Sequence, residues 1–132
     1  IFRKGGNDMI DFKNATLSKL KPVEVNEGIQ LVNPMLIPSE AIFAAFKTVR
    51  DMVVFTNKRV ISVNVQGITG TKKDFTSLPY SKVQAFSVET AGTFDLDCEM
   101  DLWFSGLGKV RFEFKGNFDI TSFNKIIGQY IL

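Results

Sequence analysis

The sequence predicts a mainly β domain, α+β by element count, that ends in one helix. Residues 52–56 and 60–65 are rich in β-branched and aromatic side chains, which favour strands. Between residues 94 and 115, apolar and polar residues alternate along two further runs, and this alternation indicates half-buried strands. After residue 117 the apolar spacing becomes helical. A chain of 132 residues has room for one domain, which we expect to span residues 1–132.

Composition excludes several kinds of chemistry. The chain has no histidine, so Ser-His-Asp and Cys-His catalysis and imidazole metal sites are excluded. Cys98 is the only cysteine, which leaves no disulfide partner and no thiolate cluster for zinc. A net charge of +2 is too small to indicate a nucleic-acid partner. We therefore predict no catalytic residue, no metal and no cofactor.

The predicted location is cytoplasmic, with peripheral contact to a membrane as the alternative. The longest apolar run, residues 41–46, is far shorter than a membrane-spanning helix requires. A single thiol favours a reducing compartment. Residues 1–8 are interpreted as sequence upstream of a natural start at Met9.

The first third of the chain is expected to be an N-terminal extension, residues 1–39, with helical segments. Residues 15–31 have helical features, and Pro22 suits a first helical turn. Residues 40–49 fit two structures. Ser39 could cap a helix, but apolar residues at alternate positions from Ile42 to Thr48 also fit a strand. The pattern alone favours the helix.

The first predicted hairpin turns at Asn57-Lys58, so that the numbers of paired residues sum to 115. One face then carries residues that we assign to the core: Met52, Val54, Ile61, Val63 and Val65. The opposite face carries Val53, Phe55 and Val60, and an exposed apolar face requires a cover. The N-terminal segment or a second copy of the chain could provide it, and Trp103 could form a second contact between copies.

Strands are also expected at residues 72–76 and 83–89, with a corner at 78–80. The run 94–104 alternates over its whole length and should pair with 109–115, with residue numbers that sum to an even value. Its polar face carries four carboxylates: Asp95, Asp97, Glu99 and Asp101. Carboxylates on a straight strand diverge, whereas a calcium site needs converging oxygens. We interpret them as partners of Lys109, Arg111 and Lys115.

The last element is predicted to be an amphipathic helix within residues 117–132, capped by Asn117 or Asp119. Its apolar stripe consists of Ile120, Phe123, Ile127, Tyr130 and Ile131.

Several segments in order resemble the bacterial pleckstrin homology (PH) domain family. They are residues 54–61, 66–70, 79–80 and 86–97, and the resemblance covers about 40–130. It implies that 42–49 is a strand and that seven strands form a partly open barrel of two orthogonal antiparallel sheets, plugged by the C-terminal helix. It also implies no known enzymatic activity and a tendency to form homo-oligomers.

Eukaryotic PH domains bind phosphoinositides through basic residues at the open end of the barrel. Carried over to this sequence, the resemblance implies a ligand site formed by Lys47, Arg50, Lys72, Lys73 and Lys109. The sequence therefore supports two functions. The first is a non-enzymatic module that assembles with itself, through Val53, Phe55, Val60 and Trp103, and presents a surface to another protein. The alternative is a peripheral module for anionic lipids or phosphate ligands.

Overall fold

The computed structural model describes residues 12–132, and the interpretation of residues 1–8 falls outside this range. The strands are β1 (Thr16–Val23), β2 (Ile42–Lys47), β3 (Met52–Thr56), β4 (Arg59–Gln66), β5 (Lys72–Pro79), β6 (Val83–Glu89), β7 (Cys98–Phe104) and β8 (Gly108–Phe114). The α-helices are α1 (Val25–Val32) and α2 (Ile120–Ile131), and short 3-10 turns span Asn33–Met35 and Tyr80–Lys82. The mainly β class with a C-terminal helix is confirmed.

The eight strands form one sheet in the order β5-β4-β3-β2-β1-β8-β7-β6. Neighbours are antiparallel except β1 and β8, which run parallel. The prediction of seven strands in two sheets is therefore wrong. The additional strand is β1, which lies between β2 and β8 and joins the two halves into one sheet.

The expected N-terminal helix is correct only for α1, because residues 16–23 form a strand. Pro22 pairs with Phe46 of β2. On the other side of β1, the last hydrogen bond at the end of β8 is from Lys115 N to the Leu20 carbonyl at 2.9 Å, so Pro22 lies beyond the pairing with β8. Proline is tolerated where one side of a strand makes no ladder bonds. Residues 42–47 are also a strand. The resemblance predicted this correctly, whereas the apolar pattern favoured a helix.

Both predicted hairpin registers are confirmed. Phe55 pairs with Val60 and Val54 with Ile61, and the later hairpin pairs Asp101 with Arg111. However, β7 begins at Cys98 rather than at residue 94. Cys98 already lies opposite the last residue of β8, so 94–97 have no partner strand on that side despite their alternation.

The main core lies between the sheet and α2. At its centre the ring of Phe55 lies 4.9 Å from that of Phe123 and 5.7 Å from that of Phe46. Leu17 and Leu20 of β1 are fully buried in the same cluster. The strand that sequence analysis placed outside the barrel therefore contributes directly to its core.

The β3–β4 hairpin is predicted to have an inner and an outer face. Val54, Ile61 and Val63 are buried as predicted, but the assignment of an outer face is wrong. Its supposed outer face has no exposed surface, because Val53, Phe55 and Val60 are each 0% exposed within the main core. The opposite face, including Val54 and Ile61, packs instead with Val32 of α1 in a second apolar layer. Both faces are buried within one chain, so these three residues offer no surface to a second copy.

One residue in each helix region explains how that helix is capped or packed. Asp119 caps α2, as one of the two predicted alternatives, and accepts a hydrogen bond from Ser122 N at 3.1 Å. On α1, Gly28 permits close packing, because an added Cβ would lie 3.0 Å from Cβ of Ala45. No helix among residues 12–132 is long and apolar enough to cross a bilayer.

Candidate functional site

A cleft of about 620 Å³ opens at the end of the sheet where β2 turns into β3. We call it the basic cleft, because cationic side chains from several segments line it: Lys19, Lys21, Lys47, Arg50 and Lys115. All five are exposed. The whole chain carries a net charge of only +2, so positive charge is concentrated here, and such a concave surface attracts anions.

Strand β1 supplies two of the lysines through an irregularity. Between Leu17 and Leu20 the pairing with β8 shifts, and Lys19 has a φ of 58°. This left-handed conformation is unfavourable for a residue with a Cβ. A bulge redirects side chains and often lies beside a functional site. Here it places Ser18, Lys19 and Lys21 together on the wall of the cleft.

The β2–β3 turn forms another wall. Thr48 N donates to the Asp51 carbonyl at 2.9 Å, and Asp51 N donates to the Thr48 hydroxyl at 3.1 Å. These bonds close a tight turn whose tip is Val49 and Arg50. Arg50 Nη2 donates to the Gly67 carbonyl at 2.6 Å, so the turn is joined to the β4–β5 loop. The cationic group of Arg50 is therefore held in place rather than freely mobile.

Asp51 is the one acidic residue among the described residues that line the basic cleft. It is only 3% exposed, and its Oδ1 accepts a hydrogen bond from Val65 N at 2.9 Å. A carboxylate exposed in the cleft would repel an anion. In the structure Asp51 braces the turn against β4, beneath the exposed cations. Near the rim, Lys47 Nζ lies 3.9 Å from the Glu27 carboxylate, and both side chains are about half exposed.

The predicted ligand residues fall into three groups. Lys47 and Arg50 line the basic cleft. Lys72 and Lys73 do not line it, but they begin β5 directly after the loop that Arg50 contacts. Lys109 is misplaced in the prediction, since it lies at the β7–β8 turn, opposite Trp103. That turn is at the other end of β8 from Lys115, which lines the cleft. Trp103 itself is half-buried.

Three cations of the basic cleft are not among the predicted ligand residues: Lys19, Lys21 and Lys115. The sequence predicts a helical extension at Lys19 and Lys21, but both belong to β1. It predicts an ion pair on the outer face for Lys115. The available signal is in residues 17–21, where Leu17 and Leu20 stand on either side of Lys19. Because the bulge interrupts strict alternation, these residues do not show the regular apolar pattern of a strand.

The strand carboxylates bind an arginine. Arg111 Nε donates to Asp101 Oδ1 at 2.9 Å, and Arg111 Nη1 lies 2.8 Å from Glu99 Oε2. Burial and the neighbouring Glu89 raise the pKa of Glu99, which Arg111 partly opposes. Asp95 and Asp97 lie in the loop before β7. The predicted ion pairs are therefore confirmed for Glu99 and for Asp101, both of which pair with Arg111.

The family model described as "Bacterial PH domain" matches residues 11–131. The chain belongs to the bacterial PH domain family. This PH domain is 50% identical over 120 residues to an uncharacterized protein, YjqA, of Bacillus subtilis strain 168, covering 89% of the chain and 94% of the relative.

Solved structures agree with this membership. A DUF1696 family protein with a pleckstrin-homology domain from Shewanella loihica PV-4 shares 39% identity at a TM-score of 0.73, covering 87% of this PH domain and 99% of that chain. A pleckstrin homology domain from Shewanella amazonensis SB2B shares 40% identity at a TM-score of 0.62, with coverages of 83% and 90%. The predicted PH-like fold is thereby confirmed.

The strained backbone of Lys19 gives a testable prediction. We expect Lys19→Gly to raise the free energy of unfolding by about 0.5–1 kcal/mol, because glycine adopts a positive φ without steric cost. Lys21→Gly is the matched control, since Lys21 is exposed in the same strand and has no positive φ. It should lower stability, as glycine does within a strand. Urea titration measures both, and equal losses in the two variants would contradict the prediction.

Proposed function

We propose that this bacterial PH domain is a non-enzymatic module that binds anionic, phosphate-bearing ligands in the basic cleft. The observation that carries the proposal is the convergence of five cationic side chains from β1, β2, the β2–β3 turn and the segment after β8 on one cleft. Lysine and arginine bind phosphate oxygens by charge-assisted hydrogen bonds. Lys72 and Lys73 extend the positive charge along the adjacent edge of the sheet.

This is the second of the two functions that the sequence predicts. Self-assembly was the first, and it depended on an outer apolar face of the β3–β4 hairpin. Because Val53, Phe55 and Val60 are buried within the chain, that face supplies no contact between copies. The five cationic side chains of the basic cleft, by contrast, are exposed, and an anion can reach them.

Charge reversal within the basic cleft tests the proposal. We expect Lys21→Glu/Lys115→Glu to weaken the binding of inositol hexakisphosphate and pyrophosphate by at least about ten-fold, because charge-assisted hydrogen bonds each contribute about 1.5–3 kcal/mol. Both side chains are exposed, so the fold should persist. Calorimetric titration measures the affinity, which should also fall as salt is added.

The matched control is Lys58→Glu/Lys82→Glu, which changes the net charge equally. Lys58 lies at the β3–β4 turn and Lys82 follows β5, at the opposite end of these strands from the basic cleft. This control should bind both phosphates as the wild type does. Equal weakening in the two double variants would show an effect of net charge alone and would refute the site, as would a wild type that binds neither phosphate.

A further inference from the structure

A second concave surface lies at the end of the sheet opposite the basic cleft. Its volume is about 480 Å³, and we call it the tyrosine groove, because Tyr80 and Tyr130 both line it. Its other walls come from the segment before β2, the β3–β4 turn and the end of β5, and include Ile37, Lys58, Arg59, Ser77 and Pro79. The proposed function leaves this surface without a role.

Contacts between its walls fix the shape of the tyrosine groove. Arg59 Nη1 donates to Ser77 Oγ at 2.7 Å, and Arg59 Nη2 donates to the Met35 carbonyl at 2.7 Å. The ring of Tyr130 stacks on that of Tyr80, with their centroids 6.2 Å apart. The walls therefore come from distant parts of the chain but are joined to one another. A pre-formed site of this kind loses little conformational entropy when a ligand binds.

Exposed apolar side chains border the tyrosine groove. Ile37 is 52% exposed and Tyr130 is 39% exposed, although both line it. Met35, whose carbonyl binds Arg59, is 44% exposed. Single exposed apolar residues are ordinary on protein surfaces. Several around one concavity indicate an interaction site, and tyrosine, methionine and arginine are enriched in the interfaces between proteins.

The charge around the tyrosine groove is positive. Lys58 is exposed on the β3–β4 turn, and Lys82 is exposed directly after Ser81, another lining residue. Arg59 is balanced by Glu40, whose side chain is 0% exposed. None of the described residues that line the groove is acidic. A partner that carries carboxylates is therefore attracted to this surface, whereas a basic partner is repelled.

From this complementarity we infer that the tyrosine groove binds an acidic peptide segment of another protein, in which a large apolar side chain lies beside carboxylates. The apolar side chain packs against Ile37, Pro79 and Tyr130, and a carboxylate pairs with Lys58. The groove is widely open to solvent, so a length of chain can lie across it, whereas sites for small molecules enclose most of their ligand. The inference goes beyond the proposed function, because phosphate has no apolar group for these walls.

A phage-displayed library of random short peptides tests this inference. It is selected on the full chain carrying Lys21→Glu/Lys115→Glu, so that the cations of the basic cleft do not capture acidic peptides. We expect the enriched peptides to carry a large apolar residue beside aspartate or glutamate. Fluorescence polarisation of a labelled copy of the most enriched peptide measures its affinity, which should fall as salt is added.

Two substitutions in the same background locate the bound peptide. Ile37→Ser should weaken binding about five-fold, because the apolar contact is lost. Lys58→Glu should weaken it about ten-fold, because repulsion replaces a charge-assisted hydrogen bond. The matched controls are Ile68→Ser and Lys72→Glu. They change an exposed aliphatic residue in the β4–β5 loop and an exposed lysine at the start of β5, and both should bind the peptide as the background chain does.

Several results would overturn the inference. It fails if no peptide is enriched, if the enriched peptides lack carboxylates, or if Ile37→Ser and Lys58→Glu bind them like the background chain. Equal weakening in the two controls would show a general effect of charge or hydrophobicity, with the same consequence. Loss of phosphate binding by the wild type changes none of these measurements, so the proposed function and this inference fail separately.

A second copy of the chain is the other occupant to be tested. The β6–β7 loop carries an exposed Phe94 beside Asp95, which is the chemistry that the tyrosine groove favours. Light scattering after size exclusion decides between the two occupants. If it shows complexes of several chains that Ile37→Ser and Phe94→Ala both dissociate, the groove holds another copy and the inference of a separate protein partner is overturned.

Discussion

Phe55→Ala should lower the free energy of unfolding by about 3–5 kcal/mol, the usual cost of removing a fully buried phenylalanine side chain. Phe55 is 0% exposed. Its ring lies 4.9 Å from that of Phe123 and 5.4 Å from that of Phe112, so it joins α2, β3 and β8. Truncation leaves a cavity that these rigid rings fill poorly, because packed interiors relax only in part.

Urea titration followed by circular dichroism measures this loss. Phe94→Ala is the matched control, since Phe94 is 101% exposed and its truncation should change stability by less than about 0.5 kcal/mol. The result also decides between two interpretations of the β3–β4 hairpin. If Phe55 were on a surface covered by another copy, Phe55→Ala would leave a stable monomer and lower only the oligomer mass. A loss of stability near that of the control would contradict the burial described above.

The hairpin shows what the sequence can and cannot specify. The turn at Asn57-Lys58 determines the register, and register determines which residues share a face. Neither determines which face is inside when both are apolar. The main core covers Phe55, and α1 covers Val54. A polar face would have identified the solvent side of the hairpin. Because both faces are apolar, the sequence pattern does not show which face is inside.

The same limit applies to the basic cleft. Lys47 and Arg50 were predicted because the β2–β3 turn is local in sequence and its place at the open end follows from the family resemblance. Lys19 and Lys115 are 96 positions apart (115 − 19) in the chain. They meet because β1 inserts between β2 and β8 in a parallel pairing with β8. Local patterns carry no signal for such a long-range pairing, whereas α2 and its Asp119 cap depend on neighbouring residues and were predicted correctly.

A buried ion pair between Glu40 and Arg59 lies at the turn end of the β3–β4 hairpin, away from the basic cleft. The Glu40 side chain is 0% exposed, and its carboxylate accepts hydrogen bonds from Arg59 Nε and Nη2, both at 2.8 Å. The Thr56 hydroxyl donates to the same carboxylate at 2.7 Å, and Ile37 N donates at 3.1 Å. The segment before β2 is thereby fixed to the turn between β3 and β4.

Glu40→Gln should therefore lower the free energy of unfolding by about 3 kcal/mol at neutral pH. Removing one partner of a buried ion pair typically costs 3–5 kcal/mol, and the lower end applies because the Arg59 side chain is 20% exposed. Glu27→Gln is the matched control. Its partner Lys47 is 3.9 Å away and both side chains are about half exposed, so the loss should stay below about 0.5 kcal/mol. Urea titration at neutral pH measures both variants.

The effect of Glu40 should also depend on pH. Burial raises the pKa of Glu40, but hydrogen bonds from Arg59, Thr56 and Ile37 outweigh burial and hold the pKa below its usual value. A carboxyl group with a lowered pKa in the folded state stabilises the fold above its unfolded pKa, about 4.3, and loses this contribution as pH falls through the folded value. The stability difference between wild type and Glu40→Gln should thus be full at neutral pH and should shrink progressively below about pH 4. A difference that stays constant into acid would show that the carboxylate charge contributes nothing, and that only the shape of the side chain holds the segment before β2 to the turn.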